Sequence, residues 1–193
     1  MRTDKRIEKI ERVLQKKQPD LTVVLENIHD PHNVSAILRS CDAVGVHEVQ
    51  LLYTTDEFPE IGKKSSASAK KWIRRRNHRS IEACYEFLRN NEFIIYATRI
   101  ADGTELLYDL DLTRRIAFVF GNENRGVSER AAEKADGIFQ IPMLGMIQSL
   151  NVSVACAVTL FEAYRQRHQG GHYDSPKLSA QEFTKVKDEW LEK

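Results

Sequence analysis

The 193-residue sequence predicts an α/β domain, a mostly parallel sheet with helices on both faces and a helical extension at each end. Three observations predict it. Short β-rich runs alternate with amphipathic helical patterns from residue 21 to residue 167. The run 116–120, IAFVF, is apolar at every position, as a central parallel strand requires. Strand, helix and strand follow one another over residues 21–53, a βαβ unit whose strands are parallel and whose crossover is right-handed.

Each element has a local reason. Residues 1–18 read as a helix with a narrow stripe of Ile7, Ile10, Val13 and Leu14, seven Lys/Arg and three acidic residues before Gln18, and a stop at Pro19-Asp20. A stripe this narrow suits docking against the body or a partner subunit. Residues 21–26, LTVVLE, read as a buried strand. Residues 27–33 form a polar loop, in which Asn33 or Ser35 can cap the following helix. That helix turns Val34, Ile37, Leu38, Cys41 and Val44 inward and stops at Gly45, with Arg39 just off the apolar stripe. Residues 46–53, VHEVQLLY, are the second strand.

From Lys63 to Arg79 the chain carries eight Lys/Arg and no acid, with Trp72 among them. One-signed charge around an aromatic suits a phosphate backbone and a stacked base. Lys63, Lys64, Lys70, Lys71, Trp72, Arg74, Arg75 and Arg76 are the candidate nucleic-acid contacts. Residues 80–91 read as an amphipathic helix with Ile81, Cys84, Tyr85 and Leu88 inward. A strand follows at 93–98, then an irregular connection at 106–113 and the apolar strand 116–120. That strand empties into the loop 121–126 and a helix capped by Ser128. The last strand is 138–141. The turn after it leads to a helix at whose mouth Ser149 and Asn151 can cap free N–H groups. Residues 152–161 carry no charge, so this helix start is expected to be buried all round, either as the floor of a ligand site or as an ordinary core helix. Gly170-Gly171 and Ser175-Pro176 break the chain. A final helix from about residue 179 puts Phe183, Val186, Trp190 and Leu191 on one side. The expected division is 1–20 as an N-terminal helical extension, 21–168 as the domain and 169–193 as a C-terminal helical extension.

Composition excludes several classes. A net charge of +1 leaves nucleic-acid affinity to local patches. The three cysteines, 41, 84 and 156, are odd in number and far apart, which argues against a disulfide framework and for a reducing cytoplasm. The charged N-terminus lacks a signal-peptide core, and no apolar run approaches a membrane span. Gly121 to Gly126 has phosphate-loop spacing, but Val127 stands where the lysine is needed. No G-x-G-x-x-G or G-x-S-x-G occurs, and His29, His32 and Cys41 have no metal-ligand spacing, so no metal is expected. What remains is a polar set at the carboxyl ends of strands, where α/β sheets bind ligands: Asn33, Arg39, Glu123, Ser149 and Asn151.

Three segments together carry a resemblance. ENIHDPHNVSAILRSCDAVGVHEV (26–49), FGNENRGVSE (120–129) and IPMLGMIQSLNVSVACAVTLFEAYRQR (141–167) resemble the three motifs of the SPOUT superfamily of RNA methyltransferases. Within it they are most similar to the branch that methylates the ribose 2′-hydroxyl of the D-loop guanosine 18 of tRNA. The resemblance covers nearly the whole chain and implies a C-terminal trefoil knot, S-adenosylmethionine as cofactor, tRNA as substrate and a homodimer with the knots packed together. It places Asn33 and Arg39 in the first motif, with Arg39 catalytic, Glu123 in the second, and Ser149 and Asn151 in the third. It puts the cofactor in the knot near Thr98, Gly121, Ile141, Met143 and Leu150, and accounts for Gly121, Gly126 and Gly145 by close approach of backbone to ligand. Because a guanidinium keeps its proton, Arg39 is expected to meet the RNA phosphate, held by Asn33, and so to orient and activate the hydroxyl. Another target in tRNA or ribosomal RNA, or a non-catalytic RNA-binding protein of the same fold, are the rival readings. Asn124-Arg125 depart from the Lys followed by an aromatic or small residue of some relatives, which leaves the RNA contacts of that turn open.

Overall fold

The computed structural model describes residues 3–55, 57–59, 69–101 and 103–193. Seven strands form one sheet: β1 (Leu21–Glu26), β2 (Glu48–Leu52), β3 (Arg74–His78), β4 (Ile94–Thr98), β5 (Glu105–Leu106), β6 (Ile116–Phe120) and β7 (Gly137–Gln140). Their spatial order is β3-β2-β1-β6-β4-β7-β5, and every pair is parallel. β1 and β6 lie at the centre and are buried along their whole length, as their uninterrupted apolar runs require. The helices are α1 (Asp4–Leu14), α2 (Pro31–Ala43), α3 (Ala69–Trp72), α4 (Ile81–Asn90), α5 (Glu129–Lys134), α6 (Val152–Gln169) and α7 (Ala180–Leu191).

The period-two alternation of the strands divides the core into two layers. Leu21, Val23 and Leu25 of β1 and Phe118 of β6 face α2 and α6, together with Ile37, Leu38, Cys41, Cys156 and Leu160. Val24, Ala117 and Val119 face the opposite way, onto Cys84, Tyr85 and Leu88 of α4 and Ala131 of α5. The buried Tyr85 hydroxyl donates to the Ala131 carbonyl at 2.9 Å and so joins the two helices of that layer. The helices at the two ends of the chain pack on each other: Ile10 and Leu14 of α1 meet Val186 and Trp190 of α7.

Two buried cations tie these ends to the domain. Lys17 is fully buried; its ammonium donates to Asp42 at 3.2 Å and to the Val46 carbonyl at 3.0 Å, and lies 5.4 Å above the Trp190 ring. Arg167, at the end of α6, is also fully buried. Its guanidinium reaches Asp20 Oδ1 at 2.7 Å, Gln18 Oε1 at 3.2 Å and the Leu112 carbonyl at 2.9 Å. Lys177 donates to the other Asp20 oxygen at 2.6 Å. Asp20 therefore closes the start of β1, the end of α6 and the approach to α7 into one node.

The fold departs from the sequence expectations in four places. The basic run is a strand: 74–78 forms β3, paired with β2 from Glu48↔Arg74 to Leu52↔His78. Its charges are answered from afar, Arg76 by Glu48 at 2.8 Å and Arg74 by Glu182 and Glu189 of α7. The connection after β4 contains a short strand, β5, on the far side of β7. The cap of α2 is neither Asn33 nor Ser35 but Asp30, which accepts the His32 N–H at 2.8 Å with Pro31 at the first helical position. The start of α6 is not buried all round: Cys156, Thr159 and Leu160 are buried, but Val154 and Phe161 face solvent, as do Leu144, Met146 and Ile147 just before it. Among the described residues no helix is long and apolar enough to cross a membrane.

Candidate active site

The carboxyl ends of β1, β6, β4 and β7 open into one cavity of about 1310 Å³. Parallel strands bring their ends to a single edge of the sheet, and helix N-termini fan away from it, which leaves a crevice there. Of the predicted residues, Thr98, Gly121, Glu123, Ile141, Met143, Ser149, Leu150 and Asn151 all line it.

Three of the predicted polar residues form a chain of hydrogen bonds. Asn33 Nδ2 donates to Glu123 Oε1 at 2.9 Å, and Asn151 Nδ2 donates to Asn33 Oδ1 at 3.1 Å. Capping α2 with Asp30 releases the Asn33 side chain for this contact. Asn151 does two jobs, because its Oδ1 also caps α6 by accepting the Ser153 N–H at 2.8 Å. Glu123 further accepts the backbone N–H groups of His29 and Asp30, each at 3.3 Å. Partial burial pushes the Glu123 carboxyl up, but the hydrogen bonds from Asn33 and from backbone N–H groups outweigh it and hold the group below its ordinary range. Glu123 is thus an anionic staple between the first and second motifs.

Arg39 stands apart. It is exposed on α2 and does not line the cavity of its own chain. Both polar ends of the Asn33 side chain are taken by Glu123 and Asn151, so the expected Asn33–Arg39 contact does not form. Ser149 is exposed in the cavity wall rather than capping α6.

The cofactor candidates differ in what they offer. The Thr98 hydroxyl donates to the Val119 carbonyl at 3.0 Å, so it braces the strand ends. A methyl group on Gly121 would lie 2.1 Å from the Gly126 backbone, so the chain folding back on itself already requires this glycine. Gly126 closes the same turn with φ +68° and a 2.8 Å bond from its N–H to the Asn122 carbonyl. No described residue beyond its two chain neighbours comes within 4 Å of where a methyl group on Gly145 would stand. Sequence reasoning missed the first asparagine of this loop, Asn122, which donates to the Asn27 carbonyl at 2.9 Å and accepts the Asn124 N–H at 2.9 Å. An Asn directly after a strand-ending Gly is a turn signal that could have found it.

The segment 141–150 makes no backbone–backbone hydrogen bond among the described residues. Residues 144–149 are exposed, and the backbone of 141, 143 and 148–150 stands without a backbone partner at the cavity wall, beside the apolar side chains of Ile141, Met143 and Leu150. A ligand with an aromatic ring and several hydrogen-bonding edges, such as the adenosine of S-adenosylmethionine, fits that donor set.

The basic candidates divide. Lys63 and Lys64 lie outside the described residues, as does the side chain of Lys70. Arg74 and Arg76 are spent on the carboxylates named above, and Arg76 also stacks 4.3 Å over Phe87. Trp72 is half-buried with its ring 5.0 Å from Trp190, edge to face, so it packs the terminal helices rather than offering a free stacking platform. Lys71 and Arg75 are exposed.

Comparison with known proteins agrees with this geometry. Residues 20–161 match the SpoU rRNA Methylase family. The chain is 48% identical over 192 residues to the tRNA (guanosine(18)-2′-O)-methyltransferase of Thermus thermophilus, covering 100% of this chain and 98% of that one. Its structure is similar to that of the A. aeolicus TrmH/SpoU tRNA modifying enzyme, with a TM-score of 0.92 and 36% identity over 98% of this chain and 96% of that one. An AdoMet-bound rRNA methyltransferase from Sinorhizobium meliloti is more distant, with a TM-score of 0.61 and 25% identity over 80% of this chain and 59% of that one.

Proposed function

The chain belongs to the SpoU rRNA methylase family, and on that premise we propose that it transfers a methyl group from S-adenosylmethionine to the ribose 2′-hydroxyl of guanosine 18 in tRNA. The observation that carries this reading is the full-length match to a guanosine-18 enzyme, together with a cavity at the sheet edge that contains Glu123, Ser149 and Asn151.

When bound, S-adenosylmethionine supplies an electrophilic methyl group. The backbone of 141–150 and the side chains of Ile141, Met143 and Leu150 would hold it. The chain's own task is to bring a weak nucleophile, the 2′-hydroxyl, into line, which can by itself lower the barrier by several kcal/mol. The Asn151–Asn33–Glu123 chain fixes the cavity wall against which that hydroxyl sits. Arg39 holds the adjacent RNA phosphate; its planar fork suits that task and orients and polarises the hydroxyl, whose proton passes to solvent water as the oxygen takes up the methyl group.

The active assembly is a homodimer. Leu144, Met146 and Ile147 just before α6, and Val154 and Phe161 along it, are exposed apolar side chains that a second subunit would cover. The absence of Arg39 from the cavity of its own chain supports its serving the cavity of the other subunit. Residues 21–168 are the methyltransferase domain, and its Lys71 and Arg75 grip tRNA together with the two terminal helices. The reaction takes place in the cytoplasm. The trefoil knot belongs to the same reading. What supports it is that β7 lies between β4 and β5, so the connection between those two strands passes around a strand formed later in the chain.

Digestion of a treated, unmodified tRNA transcript followed by mass spectrometry of the fragments tests the assignment. One methyl on the ribose of guanosine 18 is expected. A methyl elsewhere would move the target, and none at all would overturn the activity.

A further inference from the structure

The cavity is larger than the cofactor reading needs. Small-molecule sites occupy roughly 300–1,000 Å³, and this one measures about 1310 Å³. Strand order divides its lining in two. β6 runs between β4 and β1, and the loop that leaves it, 121–126, separates two arms. On the β4 and β7 side lie Thr98, Ile141 and Leu150. On the β1 and β2 side lie Asn27, Thr54, Thr55 and Arg79, which the cofactor does not account for.

We propose that this second arm is an RNA-backbone subsite in which Arg79 binds the phosphodiester of a nucleotide next to the methylated one. The inference rests on the RNA-methyltransferase reading and adds a substrate subsite to it. The uncharged groups of the arm are already engaged. Asn27 Oδ1 accepts the N–H groups of Thr54 and Thr55 at 2.9 and 3.3 Å, and its Nδ2 donates to the Thr54 hydroxyl at 3.1 Å. They shape the arm and have little left with which to read a base edge. Three of the four carboxylates in the lining are engaged too, Glu26 by the Ser128 N–H and hydroxyl, Glu82 by Arg130 at 2.7 Å and Glu123 by Asn33, while Glu129 at the start of α5 is exposed with no such partner among the described residues.

Arg79 differs from its neighbours in the basic run. Arg74 and Arg76 are paired with carboxylates inside the chain. Arg79, one residue beyond β3, is exposed at the cavity and has no hydrogen bond or ion pair among the described residues. A free guanidinium in a walled crevice fits the two non-bridging oxygens of a phosphodiester as a fork. A nucleic-acid chain passing the reacting ribose brings such a group on either side of it.

The test uses the full-length protein and unmodified tRNA transcript. Arg79→Ala and Arg79→Lys are compared with wild type in tRNA affinity across a salt series, in KM for tRNA, and in S-adenosylmethionine affinity by calorimetry. Loss of one charge-assisted phosphate contact is expected to weaken tRNA binding about tenfold and to make the slope of log K against log salt less steep by about 1. Arg79→Lys is expected to keep the slope and recover part of the affinity. Unchanged tRNA affinity and slope in Arg79→Ala would overturn the proposal. So would a fall in cofactor affinity instead, which would place Arg79 on the carboxylate of S-adenosylmethionine. If wild type transfers no methyl to any tRNA, the functional reading fails, and the binding slope still decides the subsite by itself.

Discussion

Replacing Asn33 with Ala cuts the polar chain of the site in its middle. The variant loses a 2.9 Å bond to the Glu123 carboxylate and a 3.1 Å bond from Asn151. A hydrogen bond to a charged group is worth about 1.5–3 kcal/mol net and a neutral one about 0.5–1.5 kcal/mol. Glu123 is exposed to solvent, so the low ends apply and the sum is about 2 kcal/mol. In a chain of this size that lowers Tm by about 4–8 °C. The loss also has a pH signature. Burial raises the Glu123 carboxyl, but the bonds from Asn33 and backbone win, so its folded pKa lies below the ordinary 4.5. A carboxyl depressed on folding stabilises the protein above its unfolded pKa, and that contribution fades as pH falls through the folded value. The Tm gap between wild type and Asn33→Ala is therefore steady near neutrality and narrows below pH 4.5 to the part that the neutral Asn33–Asn151 bond contributes. Calorimetric melting from neutral to acid pH reads this directly. A double-mutant cycle with Glu123→Gln should give a coupling of about 1 kcal/mol or more. Zero coupling, or a gap undiminished in acid, would refute the reasoning.

Other perturbations follow from the same structure. Asp20→Asn leaves the fully buried Arg167 without its anion; breaking a buried pair costs about 3–5 kcal/mol, so Tm should fall by roughly 10 °C, checked by calorimetry. Burial raises the Asp20 carboxyl, but Arg167 and Lys177 hold it below 3.8, so this loss should also shrink in strong acid. Gly121→Ala drives a methyl group to 2.1 Å from the Gly126 backbone. Overpacking into well-packed structure costs about 1–3 kcal/mol, and with rigid backbone opposite the upper end is expected, together with loss of S-adenosylmethionine binding in a titration. Phe161→Glu puts a charge on the exposed apolar face of α6. Sedimentation is expected to show a dimer for wild type and a monomer for the variant, with methyl transfer falling alongside.

The parts of the fold written in local patterns were legible. β1, α2, β2 and the apolar β6 follow from period and from turn residues, as do the Ser128 cap of α5 and, of the two candidates Ser149 and Asn151, the Asn151 cap of α6. β3 was not, because 74–78 has no alternation and looks like a solvated basic run. What makes it a strand is the pairing with β2 and the carboxylates Glu48, Glu182 and Glu189, the last two more than a hundred residues away. β5 is two residues long, and only its place beside β7 defines it. In the site, the residue types were legible and their bonds were not. Asn33 meets Glu123 across 90 positions and Asn151 across 118. Helical phase placed Arg39 beside the apolar stripe of α2. It could not show that Asn33 turns toward Glu123, because that depends on Asp30 taking the cap. Gly121 was read as making room for a ligand, whereas the room is taken by the chain's own turn.

The most direct test of the central claim is transfer of labelled methyl from S-adenosylmethionine to two unmodified tRNA transcripts, one with guanosine and one with adenosine at position 18. Label on the guanosine transcript alone is the expected result. Equal label on both would contradict the assignment of position 18, and no label on either would contradict the methyltransferase reading itself.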